Sequence, residues 1–326
     1  SLVIISPFII ATFSENALIR FSGTNVFKAN EHRFIERSFL LDKAVKENDF
    51  IGQILYNRRI LTAQIFLEGY LSHYNPVWLV TNASNDKHKV PDFGLLHVWV
   101  LPLALIGIYT LIRQKFDIKT KQILFLWFLT APIAASLATQ TPHALRSFVF
   151  LPTWQIFASL GGVFLINIFK NVTLKKLSLA AFALIVFFSI QYFHRQYFVV
   201  FPKVHSASFQ YAISQTIPFI LERDGLYKKV VFSNHDNLFQ SYMFFLFYSK
   251  YDPKLYQKQG GTISAGFSNT HKFAKFEFRS IDISKEEKGL YIGNIHDFPT
   301  KGNVAKTFKT IKIFKNLDGG EAIKIV

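Results

Sequence analysis

The sequence predicts a polytopic α-helical membrane protein with a small extracytoplasmic α/β domain at its C-terminal end. Three observations lead to this fold class. Hydrophobic residues make up 50% of the 326-residue chain, and the mean hydropathy is +0.22. Long apolar segments occur only before residue 200. After it, short amphipathic and alternating patterns predict helices followed by strands, which is typical of a small α/β domain.

Four complete membrane spans are predicted from length and charge. A helix needs roughly 20 apolar residues to cross about 30 Å of hydrocarbon, and a charge at its centre is costly. Four segments approach that length and contain no Asp, Glu, Lys or Arg: residues 93–112, 122–138, 147–169 and 177–193. The Gly161-Gly162 pair in the third predicts close helix packing. The apolar residues 1–13 are interpreted as the end of a fifth span, and because Ser1 replaces an initiator methionine we expect an N-terminal truncation.

Two short basic loops predict how the spans are oriented. Lys and Arg cluster in residues 113–122 and 170–176, and short loops of this kind face the cytoplasm. Alternation then places the loop 14–92, the turn 139–146 and the tail after residue 194 on the outer side. We therefore expect a multi-pass protein of the cytoplasmic membrane.

The predicted domains are a membrane domain at 1–199 and an extracytoplasmic α/β domain at 200–326. Residues 58–74 have apolar side chains at helical spacing, which predicts a helix lying at the membrane interface. In the tail, the segment SNHDN at 233–237 follows a predicted strand. It is interpreted as a turn, and a polar ligand-binding loop is the alternative.

Composition excludes several kinds of site. The chain has no cysteine, which rules out disulfides, zinc–thiolate sites and cysteine nucleophiles. Its net charge of +16 comes from basic residues that are spread between loops and tail rather than gathered in one patch. We therefore expect anionic membrane lipids as partners and no nucleic acid.

The turn TQTPHALRS between two apolar segments is the first candidate site. Pro142 suits a turn or the first position of a helix, so Arg146 is expected in the first turn of the following helix. A cation is unfavourable at this positive end of the dipole unless an anion is bound there. Arg146, the helix N–H groups and His143 could together hold a phosphate. The alternative is an arginine that extends to the membrane interface without binding anything.

Three residues of the outer loop are further candidates for contact with a substrate: Tyr70, His73 and His88. For the two histidines the alternative is an ordinary solvated loop, and for Tyr70 it is an aromatic anchor at the interface. No metal site is predicted, because two histidines without a carboxylate at fixed spacing do not make the usual ligand set.

Three stretches resemble the multi-spanning C-type glycosyltransferases, in particular bacterial members related to protein O-mannosyltransferases and aminoarabinose transferases. They are YLSHYNPVWLV at 70–80, NDKHKVPDFGLLHVWVLPLALIGIYTLIR at 85–113 and TPHALRSFVFLP at 141–152. The segment SYMFFLFYSKYDPKLYQ at 241–257 resembles their extracytoplasmic C-terminal region. The resemblance covers about residues 55–257.

The resemblance implies an enzyme that moves a sugar from a polyprenyl-phosphate carrier to a protein, lipid or glycan acceptor outside the cytoplasmic membrane. Arg146 and His143 would hold the carrier phosphate, and Tyr70, His73 and His88 would face the substrate cavity. The catalytic carboxylate of such enzymes lies near their N-terminus, so we expect it upstream of Ser1. Whether a divalent metal takes part is left open.

A second interpretation belongs to another class of protein. The chain could be a non-enzymatic membrane-anchored protein whose outer domain binds a partner. A transporter fits less well, because no charged residue lies inside the predicted spans, where coupling residues are expected.

Overall fold

The computed structural model describes Ser6 and residues 25–81, 87–262, 270–282, 288–298 and 308–326. The chain divides into two compact units, Ser1–Tyr197 and Phe198–Val326. The predicted span at 1–13 lies outside the described residues, except for Ser6.

Four helices open the described part of the first unit: α1 (Val26–Ala29), α2 (Glu31–Lys46), α3 (Phe50–Leu55) and α4 (Arg58–Ser72). Helix α4 confirms the helix predicted at 58–74. It begins where the Asn57 side chain accepts a hydrogen bond from the Arg59 N–H. Its buried residues recur every four positions, at Leu61, Ile65 and Gly69, as expected for a helix with one face packed against the protein.

Five more helices complete the described part of this unit: α5 (Val100–Arg113), α6 (Ile118–Thr130), α7 (Ile133–Ser136), α8 (Leu151–Ile168) and α9 (Val172–Arg195). Among the described residues, two apolar helical stretches are long enough to cross a membrane. They are Phe148–Ile168 and Val172–Val204, and the second continues from α9 through a π-helical turn into α10 (Phe201–Val204).

The spans predicted at 93–112 and 122–138 contain shorter helices than expected. Helices α5 and α6 have 14 and 13 residues, which at 1.5 Å per residue gives roughly 20 Å. The segment before α5 is not helical, because the Gly94 and Leu96 N–H groups donate to Val80 and Leu79 carbonyls instead. Gly94 allows this close pairing, since a Cβ there would lie 2.1 Å from the Leu79 oxygen.

Pro132 ends helix α6. It has no N–H, and its ring excludes the helical bond to the carbonyl of Phe128. The Phe128 oxygen accepts a hydrogen bond from the Tyr74 hydroxyl at 2.9 Å, and the Leu129 oxygen accepts one from Tyr70 at 2.8 Å. The side chains of the YLSHY segment thus satisfy carbonyls that the proline leaves exposed.

Helices α5 and α8 approach closely at two glycines. A Cβ on Gly107 would lie 1.7 Å from the Phe157 oxygen, and one on Gly161 would lie 2.0 Å from the Leu103 oxygen. The close packing predicted at Gly161 is confirmed. Gly162 has no atom within 4 Å of its added Cβ, so it takes no part in this contact.

Aromatic contacts fix the direction of the neighbouring helices. Phe125 of α6 contacts Phe157 of α8, whereas Phe128 contacts Phe150 and Trp154, so α6 and α8 are antiparallel. Helix α9 runs antiparallel to the segment before α5, through three contacts: Phe93–Phe193, His97–Ser189 and Trp99–Phe182.

The second unit is a small α/β domain, as predicted. Its six strands are β1 (Val230–Phe232), β2 (His271–Phe273), β3 (Phe276–Phe278), β4 (Leu290–Asn294), β5 (Lys312–Lys315) and β6 (Glu321–Ile325). Their order is β2-β3-β1-β4-β6-β5, with β1 parallel to β3 and β4 and the remaining pairs antiparallel. The α-helices that follow α10 are α11 (Tyr211–Leu221), α12 (Ser241–Tyr248) and α13 (Pro253–Lys258).

The core of this unit lies where α11 and α12 pack on the sheet. Phe232 of β1 and Phe245 of α12 stack with aromatic residues of β3, and Ile217 and Ile220 of α11 complete the buried cluster. All five residues of β4 are buried. Burial on both faces explains why its sequence, LYIGN, is almost wholly apolar.

Candidate functional site

Three predicted site residues from distant parts of the sequence come together in the first unit. His73 follows α4, His88 lies in the loop before α5, and His143 lies in the turn before α8. The His143 N–H points to His73 Nε2 at 3.4 Å, and the rings of His88 and His143 are 5.0 Å apart. We call His73, His88 and His143 the histidine cluster.

His73 is the fully buried residue of this cluster. It has no exposed surface, and its Nδ1 lies 2.8 Å from the Gly69 oxygen. Because a carbonyl oxygen only accepts, Nδ1 carries the proton and Nε2 receives the His143 N–H. Burial lowers the pKa of His73, so the ring is neutral. Its geometry suits a residue that positions the 139–147 turn.

Lys89 is a buried cation beside the cluster that the sequence did not reveal. Its ammonium donates to the Trp78 oxygen at 2.8 Å and lies 4.9 Å from the centre of the Trp78 ring. The edge of Trp78 in turn packs on His73, with ring centres 5.5 Å apart. Lys89 stands in a polar stretch, KHKVP, where nothing in the pattern signals burial.

Arg146 lies elsewhere than predicted. Ser147 N–H makes one helical bond to the His143 oxygen at 3.1 Å, but continuous helix starts only with the 3₁₀ turn at Phe148 and with α8 at Leu151. Arg146 therefore does not stand in the first turn of α8. Its Nη1 donates to the Thr139 oxygen and closes the turn. The side chain is exposed, so the guanidinium can still reach an anion in solution or at a membrane surface.

Tyr70 contacts the end of α6 rather than the histidine rings. Its hydroxyl lies 2.8 Å from the Leu129 oxygen and 3.0 Å from the Tyr74 hydroxyl. Burial raises the pKa of Tyr74, so this tyrosine stays protonated and able to donate. These two contacts of its hydroxyl group give Tyr70 a structural role.

An apolar groove of 530 Å³ is lined by Val80, which lies two residues after Trp78 in the sequence. It lies between the segments around Val80 and Phe93 and the C-terminal half of α9. Its lining is mostly hydrophobic: Val80, Phe93, Val98, Leu184, Ile185 and Phe188, with Thr81, Asp92, Ser189 and Tyr192 as polar members. A cavity of this size and lining suits a hydrocarbon chain.

No group of three His, Cys, Asp or Glu side chains is arranged to hold a metal ion within the part of the chain that the structure describes. The chain matches no protein-family model, no curated protein and no solved structure. The relation to the C-type glycosyltransferases therefore stays a prediction.

Proposed function

We propose that the chain is part of a multi-pass glycosyltransferase of the cytoplasmic membrane that takes its sugar from a polyprenyl-phosphate carrier. The observation that supports it best is the position of the histidine cluster. His143 and Arg146 lie in the same turn, and the ring of His88 contacts the ring of His143. The buried Lys89 follows His88 in the sequence and contacts Trp78. The apolar groove is lined by Val80, two residues after Trp78. A lipid phosphate needs a polar, cationic surface for its phosphate and an apolar surface for its hydrocarbon chain.

The chemistry of this reaction favours fixed cations. When the glycosidic bond to the carrier breaks, negative charge develops on the leaving phosphate, and donors held in place stabilise it. Arg146 would supply a bidentate donor, and His88 and His143 would add ring N–H groups. The isoprenoid chain would occupy the groove. The acceptor would be a protein, lipid or glycan.

Helix α9 supports the membrane location. Its residues 177–193 contain no charged side chain, yet the helix has no buried residue, so water is a poor solvent for this stretch. In the proposed topology α9 and α8 span the bilayer. Helices α5 and α6 complete their crossings with the non-helical segments beside them, which neighbouring protein would cover. The turns at 114–117 and 169–171 face the cytoplasm, and the histidine cluster lies at the outer surface.

Replacing Arg146 tests this proposal in the full-length protein. Transfer from a polyprenyl-phosphate sugar in membrane vesicles should fall roughly a hundredfold in Arg146→Ala, because one transition-state donor is lost. Arg146→Lys should keep part of the rate, since it retains the charge without the fork.

Arg59→Ala is the matched control, because Arg59 is exposed and its side chain makes no hydrogen bond to any residue that the structure describes. Transfer at the wild-type rate by Arg146→Ala would remove Arg146 from the mechanism. Absence of transfer from any polyprenyl-phosphate sugar by the wild-type protein would instead favour the anchored binding protein.

A further inference from the structure

The second unit has a sheet edge of the kind at which α/β domains bind ligands. Strands β3, β1 and β4 are parallel, so their carboxyl ends lie at one edge. From β1 the chain first builds β2 and β3 on one side and then places β4 on the other. Ligands of open α/β sheets bind outside the carboxyl ends of strands where the order reverses in this way.

Polar side chains from all three strand ends meet at this edge. His235 follows β1, and its Nε2 is hydrogen-bonded to the hydroxyl of Ser280, which follows β3. Asp236 accepts a hydrogen bond of 2.8 Å from Nε2 of His296, which follows β4. We call His235, Asp236, Ser280 and His296 the strand-end cluster. All four are exposed.

The backbone beneath the cluster is held by buried groups. The side-chain amide of Asn294 donates to the His235 backbone oxygen at 3.2 Å, and the backbone N–H of Asn294 donates to Asp297 Oδ2 at 2.7 Å. The buried Ser241 hydroxyl donates to the Ser233 oxygen at 3.0 Å. A site needs such support to stay preformed while its side chains point to solvent.

The mixture of donors and acceptors limits what could bind. Asp236 only accepts, whereas Ser280 and a neutral histidine both donate and accept. A ligand for this set must also do both at several neighbouring atoms, which a row of hydroxyl groups does. An inorganic anion offers mainly acceptors and would be repelled by Asp236. A metal ion is disfavoured, since no three ligating side chains converge among the described residues.

An exposed aromatic ring completes the surface. The Phe239 N–H donates to the Asp236 oxygen at 3.2 Å, and the side chain is 41% exposed. Sugar rings combine hydroxyl edges with apolar C–H faces, and such a face can pack on an aromatic ring. We propose that the strand-end cluster and Phe239 form a binding site for a neutral saccharide. This inference depends on the second unit alone and does not require the proposed transferase activity.

The test measures binding of mannose, glucose, galactose and N-acetylglucosamine to the full chain in detergent, by saturation-transfer NMR. At least one sugar should bind, and Asp236→Asn and His296→Gln should each weaken binding about tenfold. The first removes a charged acceptor, and the second removes the side chain that donates a hydrogen bond to Asp236. Asp236 has φ of +49°, which asparagine tolerates, so the loop should keep its backbone.

Two exposed residues of α2 provide matched controls, Asp42→Asn and His32→Gln, which should bind like wild type. Circular dichroism checks that every variant is folded. Absence of binding by all four sugars, or unchanged binding in Asp236→Asn, would refute the site. A response to inorganic phosphate alone would refute its neutral specificity. Transfer by wild type and loss in Arg146→Ala are measured separately, so failure here leaves the transferase proposal standing.

Discussion

His73 illustrates how one side chain can organise a site without touching a ligand. Both ring nitrogens engage the protein: Nδ1–H donates to the Gly69 oxygen, and Nε2 faces the His143 N–H. Protonation would place a second hydrogen on Nε2, opposite that N–H, inside a buried environment. The turn that carries His143 and Arg146 therefore depends on His73 being neutral.

This arrangement makes stability depend on pH. Because burial lowers the pKa of His73 from its ordinary 6.5, the unfolded state binds a proton more readily than the folded state as pH falls below that value. Stability is thus greatest above pH 6.5 and decreases as pH falls toward the lowered pKa. We expect the melting temperature in detergent to fall more between about pH 8 and pH 5.5 in wild type than in His73→Gln.

The exposed His32 supplies the comparison for this experiment, since His32→Gln should keep the wild-type dependence on pH. Equal pH dependence in wild type and His73→Gln would show that the pKa of His73 is the same in the folded and unfolded states.

At the scale of helices, the sequence predicted which segments are apolar better than where helices begin. Residues 93–99 are hydrophobic enough to extend α5, yet the N–H groups of Gly94 and Leu96 bond to residues 79 and 80. A hydropathy window has no information on such long-range pairing. The sequence did predict that strands occur after residue 200, because alternation and turn residues are local signals.

Some residues of the candidate site could be predicted from the sequence, and others could not. His73, His88 and His143 could be nominated from their segments, and the structure brings them together. Lys89 could not, because its burial depends on Trp78, which lies in a π-helical turn after α4 at Val77–Thr81. The sequence predicted Arg146 in the first turn of α8, because the apolar segment begins at residue 147. The helix begins only at Leu151, so Arg146 lies before it.

The contact between α5 and α8 offers a direct test of helix packing. Gly107→Ala should destabilise the protein by about 1–3 kcal/mol, the usual cost of overpacking, because the new methyl would overlap the Phe157 carbonyl, which is backbone and cannot rotate away. Gly162→Ala should be neutral or stabilising by up to about 1 kcal/mol, because its Cβ meets open space. Urea or thermal unfolding in detergent measures both. Equal losses in the two variants would show that the close contact at Gly107 does not determine the cost of the added methyl group.

At the scale of the whole molecule, the surface of α9 requires a non-aqueous environment. A helix with apolar residues on all sides is buried in a protein core or in a membrane, and none of the most apolar window in Val172–Val204 is buried. Lipid would provide that environment. In the topology proposed above, the short turn between α8 and α9 lies at one surface of the bilayer, and the C-terminal end of α9 lies at the other.

Cysteine labelling can test this arrangement, because the chain has no cysteine of its own. Lys119 and Lys315 are both exposed, the first at the start of α6 and the second at the end of β5. In intact cells a membrane-impermeant maleimide should label Lys315→Cys, whereas Lys119→Cys should react only after permeabilisation, since basic short loops face the cytoplasm. Labelling of Lys119→Cys from outside would invert the orientation. The histidine cluster would then face the cytoplasm, where a carrier-linked sugar of the outer leaflet could not reach it.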